Sequence, residues 1–128
     1  MNPIHFLRTV LTLDALTCMA MAGLLLAAGQ PLAGLLDLPA ALLQEAGLIL
    51  LPFAGFVFWA GRHTDRLEWP VRTVAVANLL WVAASFTTFA FTTPNLFGAA
   101  FVVAQALAVA AIAGLQFYGL GLFRRAYA

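Results

Sequence analysis

An all-α, membrane-embedded four-helix bundle is the fold class this sequence predicts, and three observations predict it. The 128 residues are 64% hydrophobic and only 9% charged, whereas about a quarter of the residues in a soluble domain are charged. Four apolar runs each reach the roughly 20 residues that cross a bilayer as a helix. And one stretch is written twice, half a chain apart. Arg8-Thr9-Val10-Leu11-Thr12-Leu13-Asp14-Ala15-Leu16 returns as Arg72-Thr73-Val74-Ala75-Val76-Ala77-Asn78-Leu79-Leu80, with Arg, Thr, Val and the last Leu in register and Asn answering Asp. This reads as the opening of each half of a tandemly duplicated two-helix hairpin. At the second helix of each half the correspondence loosens: Gly34 answers Gly98 in register, but Pro31 and Gln44 answer Pro94 and Gln105 only with slips of one and three residues.

The whole chain, 1–128, is expected to be one integral membrane domain. Its first span runs from about 6 to 28 and ends where Gly29-Gln30-Pro31 interrupts the helix. Arg8, an apolar run and Ala27-Ala28-Gly29 imitate a secretory signal. Asp14 inside the apolar run, and the same motif recurring at Arg72, argue against that reading. Leu32 to Leu38, broken by Gly34 and Asp37, reads as an interfacial turn or short helix.

The second span, about 39–61, opens on Pro39, a residue favoured in the first helical turn. Pro52 within it predicts a kink and not a break, because neighbouring helices can satisfy the freed carbonyl. The polar loop Arg62-His63-Thr64-Asp65-Arg66-Leu67-Glu68 follows, flanked by Trp59 and Trp69 where an aromatic belt lies. The third span, about 70–92, begins at Pro70; Thr93-Pro94-Asn95 turns the chain into the fourth, about 96–122. Connections this short make neighbouring helices antiparallel, an up-down-up-down arrangement.

Charge then orients the bundle. All six basic residues are Arg, at 8, 62, 66, 72, 124 and 125, and they fall in the N-terminal segment, the middle loop and the C-terminal segment. Both His5 and His63 lie there too. The positive-inside rule assigns that side, with both termini, to the cytoplasm. An Arg-only, Ala/Leu/Gly-rich chain suggests a GC-rich bacterial genome, and so the bacterial inner membrane. Single Cys18 makes no internal disulfide and says nothing of compartment.

Asp14 is the costly residue. A carboxylate near the bilayer centre costs about 2.5–3.5 kcal/mol on the milder scales, so it should face the bundle and find a partner. The repeat nominates Asn78 across a pseudo-twofold along the membrane normal, with Thr17 and Cys18 on the Asp14 face. Arg72 is long enough to reach toward it, and Arg8 is a further candidate. A register-fixing structural pair is the plainer reading of Asp14, and a proton or cation site the sharper one. Gln105, between Ala104 and Ala106, is expected to bond across helices. Glu45 and Gln44 read as interfacial anchors near the outer face, and Gln116, Tyr118 and Tyr127 as anchors at the cytoplasmic one. Ala106, Ala110 and Gly114 form a small-residue packing row, with Ala100, Ala104, Ala108 and Ala111 a second.

The remaining chemistry is sparse. No metal-ligand spacing, nucleophile with a base, or phosphate-cradling glycine loop occurs, so no cofactor, no metal and no enzymatic activity are expected. The two histidines do not face each other across the bundle as haem ligands would. A net charge of +1 offers no footprint for nucleic acid. Leu7 to Ala15, Leu48-Ile49-Leu50-Leu51-Pro52-Phe53, Asn78-Leu79-Leu80-Trp81-Val82-Ala83, and Ala104-Gln105-Ala106 leading to Leu115-Gln116 resemble small uncharacterised four-helix integral membrane proteins of bacteria. The likeness covers nearly the whole chain and implies the fold without implying an activity. The expectation is a non-enzymatic accessory or assembly partner of other membrane proteins, whose contacts are with the lipid bilayer, another membrane protein or itself. The alternative is a small proton- or cation-coupled transporter or channel, a homodimer with Asp14 as the coupling group.

Overall fold

The computed structural model describes residues 2–64 and 68–127, and over these the chain is all-α. Five helices follow in order: α1 (Pro3–Ala27), α2 (Gly29–Leu36), α3 (Ala40–Arg62), α4 (Trp69–Phe91) and α5 (Leu96–Tyr127). All but α2 are long and apolar enough to cross a membrane. Asp65, Arg66 and Leu67 of the expected polar loop, and the Tyr127 side chain, lie outside what is described.

Local chemistry sets the helix ends. Helix α1 starts three residues before the expected span because Asn2 caps it: its Oδ1 accepts from the Ile4 and His5 amides at 3.0 and 3.4 Å, and Pro3 occupies the first turn. The short α2 closes on Asp37, which takes the left-handed conformation (φ 57°) that Asp tolerates better than most residues. Helix α3 continues through Pro52 without a break. Helix α5 runs five residues beyond the expected end at 122, carrying Arg124 and Arg125 in its last turn, where cations oppose the exposed carbonyls.

Two helix pairs make up the molecule. Helix α1 packs on α3 in antiparallel register, with Gly61 against Leu11 at one end and Gly47 against Leu25 and Leu26 at the other. A side chain on Gly47 would meet Leu26 at 2.9 Å, so the close approach needs glycine there. Helices α4 and α5 pair likewise, Ser85 facing Gln105 and Asn78 facing Gln116. Helix α5 then leans on α1, Gly119 sitting so near Leu7 that a Cβ would come within 2.5 Å of it. At the end away from the termini, Asn95 ties the pairs together. Its Nδ2 donates to the Leu35 carbonyl (2.8 Å), its backbone amide to the Leu36 carbonyl (3.3 Å), and its Oδ1 accepts from Gly98 (2.8 Å).

The buried apolar residues form two clusters. One lies toward the termini and contains Leu7, Leu11, Ala15, Val57, Ala60, Val71, Val74 and Leu120. The other lies toward Asn95 and contains Cys18, Ala22, Leu25, Leu36, Leu38, Leu43, Leu50, Ala54 and Val102. A polar layer separates them, and it holds the candidate site.

Candidate functional site

Asp14 on α1, Asn78 on α4 and Gln116 on α5 meet in that layer. Each is almost wholly buried, at 3%, 3% and 0% exposure. The depth is built in: Asp14 stands eleven residues from the start of α1 and Gln116 eleven from the end of α5, so each lies about 16 Å from its helix end at 1.5 Å per residue. Because α5 runs opposite to α1, the two arrive at one level. Asn78 Nδ2 donates to Asp14 Oδ2 (2.9 Å) and to Gln116 Oε1 (2.9 Å), while Gln116 Nε2 donates to Asp14 Oδ2 (2.7 Å). The Cys18 thiol, one turn along α1, approaches Asp14 Oδ1 at 3.5 Å.

This arrangement suits an ionised carboxyl group. All three neighbours donate to Asp14, and a carboxylate is an acceptor only, whereas an acid would present an O–H in need of an acceptor. A hydrogen bond to a charged group contributes about 1.5–3 kcal/mol. Two of them are of the same size as the cost of placing a carboxylate in the bilayer, about 2.5–3.5 kcal/mol. Asp14 can therefore be held without a cation.

No arginine pairs with it among the described residues. Arg72, expected to reach toward Asp14, instead donates from Nη2 to Glu68 Oε1 at 2.6 Å, and Arg124 Nε reaches the same oxygen at 2.6 Å. The reason is economy of desolvation: at the helix end the guanidinium keeps its water and still finds a carboxylate. Arg8 Nε donates to the Gly61 carbonyl at 3.3 Å. Gln116, expected as an interface anchor, is the other correction. Helix α5 extends so far past it that Gln116 belongs to the core and not to the boundary. The signal was present in the spacing of Val102, Ala106, Ala113, Gln116 and Leu120, the buried stripe of that helix.

Gln105 anchors a second polar layer, bonding across helices as its setting suggested. Its Oε1 accepts from Trp81 Nε1 (2.9 Å), and its Nε2 donates to Ser85 Oγ (2.9 Å) and to the Val102 carbonyl (3.0 Å). Trp81 is the partner that sequence reasoning passed over. The small-residue row divides: Ala106 is fully buried, Ala110 is half-buried, and Gly114 is exposed with open space beside it. Each four-residue step advances about 40° around a helix, so a row of three turns away from a straight seam. Ala100, Ala104, Ala108 and Ala111 are exposed.

Beside these layers the helix pairs part. A cavity of about 490 Å³ lies between α1/α3 and α4/α5, bordered by Asp14, Cys18, Phe53, Asn78, Trp81 and Gln105 among others. A second, of about 360 Å³, continues toward the Asn95 end, past Ser85 and Thr88 to Glu45. The two share Met21, Ile49, Trp81, Ala84 and Gln105 as walls, so they adjoin along the same gap between the helix pairs, a cleft. Ile49 and Leu80 stand on its rim, 59% and 66% exposed, which places the mouth on the flank of the bundle between α3 and α4. Among the described residues no cluster of metal-ligating side chains occurs. Chemically the site is an apolar cleft with a hydrogen-bonded carboxylate in its wall. No protein-family model, no curated protein and no solved structure matches the chain.

Proposed function

We propose that this is a non-enzymatic multi-pass protein of the bacterial inner membrane, an up-down-up-down bundle with both termini cytoplasmic. In this reading it acts as an accessory or assembly partner of other membrane proteins. One observation carries the reading: the polar side chains inside the bundle bond to one another, Asp14 to Asn78 and Gln116 and Gln105 to Trp81 and Ser85. That pattern fixes register and leaves apolar surface, within the bilayer, as what the protein offers to others. The 64-residue interval between Asp14 and Asn78, the same interval as in the repeated motif, supports a tandem duplication whose halves meet at this pair.

A second reading is favoured by a specific feature, the place of Asp14 in the wall of the larger cavity. On that reading the protein is a small proton- or cation-coupled carrier, a homodimer with Asp14 as the coupling group. Purification in mild detergent from native membranes, with mass spectrometry of what co-purifies, separates the two. A stoichiometric larger complex that persists in an Asp14→Asn variant supports the accessory role. An isolated homodimer with pH-dependent substrate binding, lost in the same variant, supports transport and overturns it.

A further inference from the structure

The cleft has a charge character that the accessory reading leaves unused and the carrier reading uses only through Asp14. Its walls include two carboxylates, Asp14 in the inner part and Glu45 at the far end, and among the described residues no arginine. The described arginines, Arg8, Arg62, Arg72, Arg124 and Arg125, stand at the other end of the molecule, near the helix ends that adjoin the termini and the α3–α4 turn. Of the two Asp14 oxygens, Oδ2 takes both strong amide donors. Oδ1 has only the Cys18 thiol, at 3.5 Å, a weak donor. Asp14, one of whose oxygens has spare acceptor capacity, borders a cavity of about 490 Å³, within the roughly 300–1,000 Å³ of small-molecule sites.

The neighbours narrow the class of ligand. A bare metal ion would need several oxygen ligands turned toward it, yet the amide nitrogens of Asn78 and Gln116 are the atoms turned toward Asp14. A single N–H or O–H donor fits the one free acceptor. That no described basic side chain lines the cleft favours a donor that also carries positive charge. Most of the remaining lining is aliphatic and aromatic, including Phe53, Leu50 and Ile112. The hydroxyls of Thr17, Ser85, Thr87, Thr88 and Thr92 are interspersed. Access from the end near the termini is closed, because the cluster of Leu7, Leu11, Val71 and Val74 packs the bundle there.

We propose that the cleft between α3 and α4 is a binding site for a membrane-dissolved amine, an apolar body with a protonated N–H head. The head donates to Asp14 Oδ1 and the body lies along Trp81 toward Glu45, having entered sideways from the bilayer. The proposal concerns binding alone and does not rest on the accessory reading.

Trp81, common to both cavities, reports on occupancy. With Trp59 and Trp69 replaced by Phe, Trp81 is the sole tryptophan. In phosphatidylcholine nanodiscs its fluorescence is titrated with a bromine-tailed alkylamine, which is protonated at pH 7 as a lysine is. The matching alcohol and the matching trimethylammonium, which has charge but no N–H, are run alongside. The expected result is saturable quenching by the amine at about tenfold lower concentration than by either control, the worth of one charge-assisted hydrogen bond. Asp14→Asn should abolish the difference. Ala84→Phe, which fills the cleft from a position lining both cavities, should remove the saturable component while Asp14 stays intact. Quenching that rises linearly with the amine, or equally with all three compounds, overturns the proposal. So does saturable quenching that Ala84→Phe leaves unchanged.

Discussion

The two ends of the bundle are built from the same residue types and behave differently. Toward the termini, Leu7, Leu11, Val57 and Val74 are at most 1% exposed and the helix pairs close on each other. Toward Asn95 the pairs part around a cleft walled by Met21, Ile49 and Trp81. Lipid tails are as apolar as leucine, so hydrophobicity alone does not decide whether two helices close. What decides is whether backbones can approach and polar groups can bond. At the closed end Gly61 and Gly119 let helices approach α1, and the Asp14–Asn78–Gln116 bonds join α1 to α4 and α5. At the open end the interhelical bonds of Gln105 stay within the α4/α5 pair. Asn95 grips the tip of α2, leaving α3 untied to α4.

That contrast is broken most severely at the polar layer. Asp14→Leu strands the buried amides of Asn78 and Gln116 and should cost about 2–6 kcal/mol, at 1–3 kcal/mol for each orphaned donor. Asp14→Asn, which an amide flip can accommodate, should cost about 1 kcal/mol. Unfolding in a denaturing detergent titration measures both. Next in size is a matched truncation of the two ends. Leu11→Ala should cost about 2 kcal/mol, since in lipid the transfer contribution falls away and the cavity contribution remains. Leu80→Ala on the cleft rim should stay within about 0.5 kcal/mol. Equal losses at the two sites would erase the distinction between ends.

Smaller still is Gln105→Ala, expected to cost about 0.6 kcal/mol, the average interhelical hydrogen bond in a membrane protein. Its readout is the emission of Trp81, whose indole N–H loses its acceptor. The smallest effect belongs to Glu68→Gln at the surface. Although two arginines meet Glu68, exposed pairs contribute about 0–1 kcal/mol, and added salt should mask the change.

Much of the closed end was legible in the sequence because it rests on short-range or periodic signals. Asn2-Pro3, read as cap and first-turn proline, would have placed the start of α1 closer than hydropathy did. The Asp14–Asn78 contact was nominated by the likeness of residues 8–16 to residues 72–80, in which Asn78 answers Asp14. Gln116 was hidden by position: a glutamine near the end of an apolar run resembles an anchor until the helix is seen to continue through Arg125. Arg72 was misjudged because reach is not preference, and a guanidinium at a helix end keeps both water and Glu68. The cleft left no local signature. It arises from how two helix pairs lean, and Ile49 or Leu80 on its rim is spelled no differently from a lipid-facing residue.

One carboxylate joins three helices at a single level of the bundle, and the coupling between Asp14 and Gln116 measures that junction. In a double-mutant cycle with Asp14→Ala and Gln116→Ala, the two losses should fall short of additive by about 1 kcal/mol or more, as for groups in one hydrogen-bonded network. Additive losses would mean that the two side chains, 2.7 Å apart here, do not meet in the membrane.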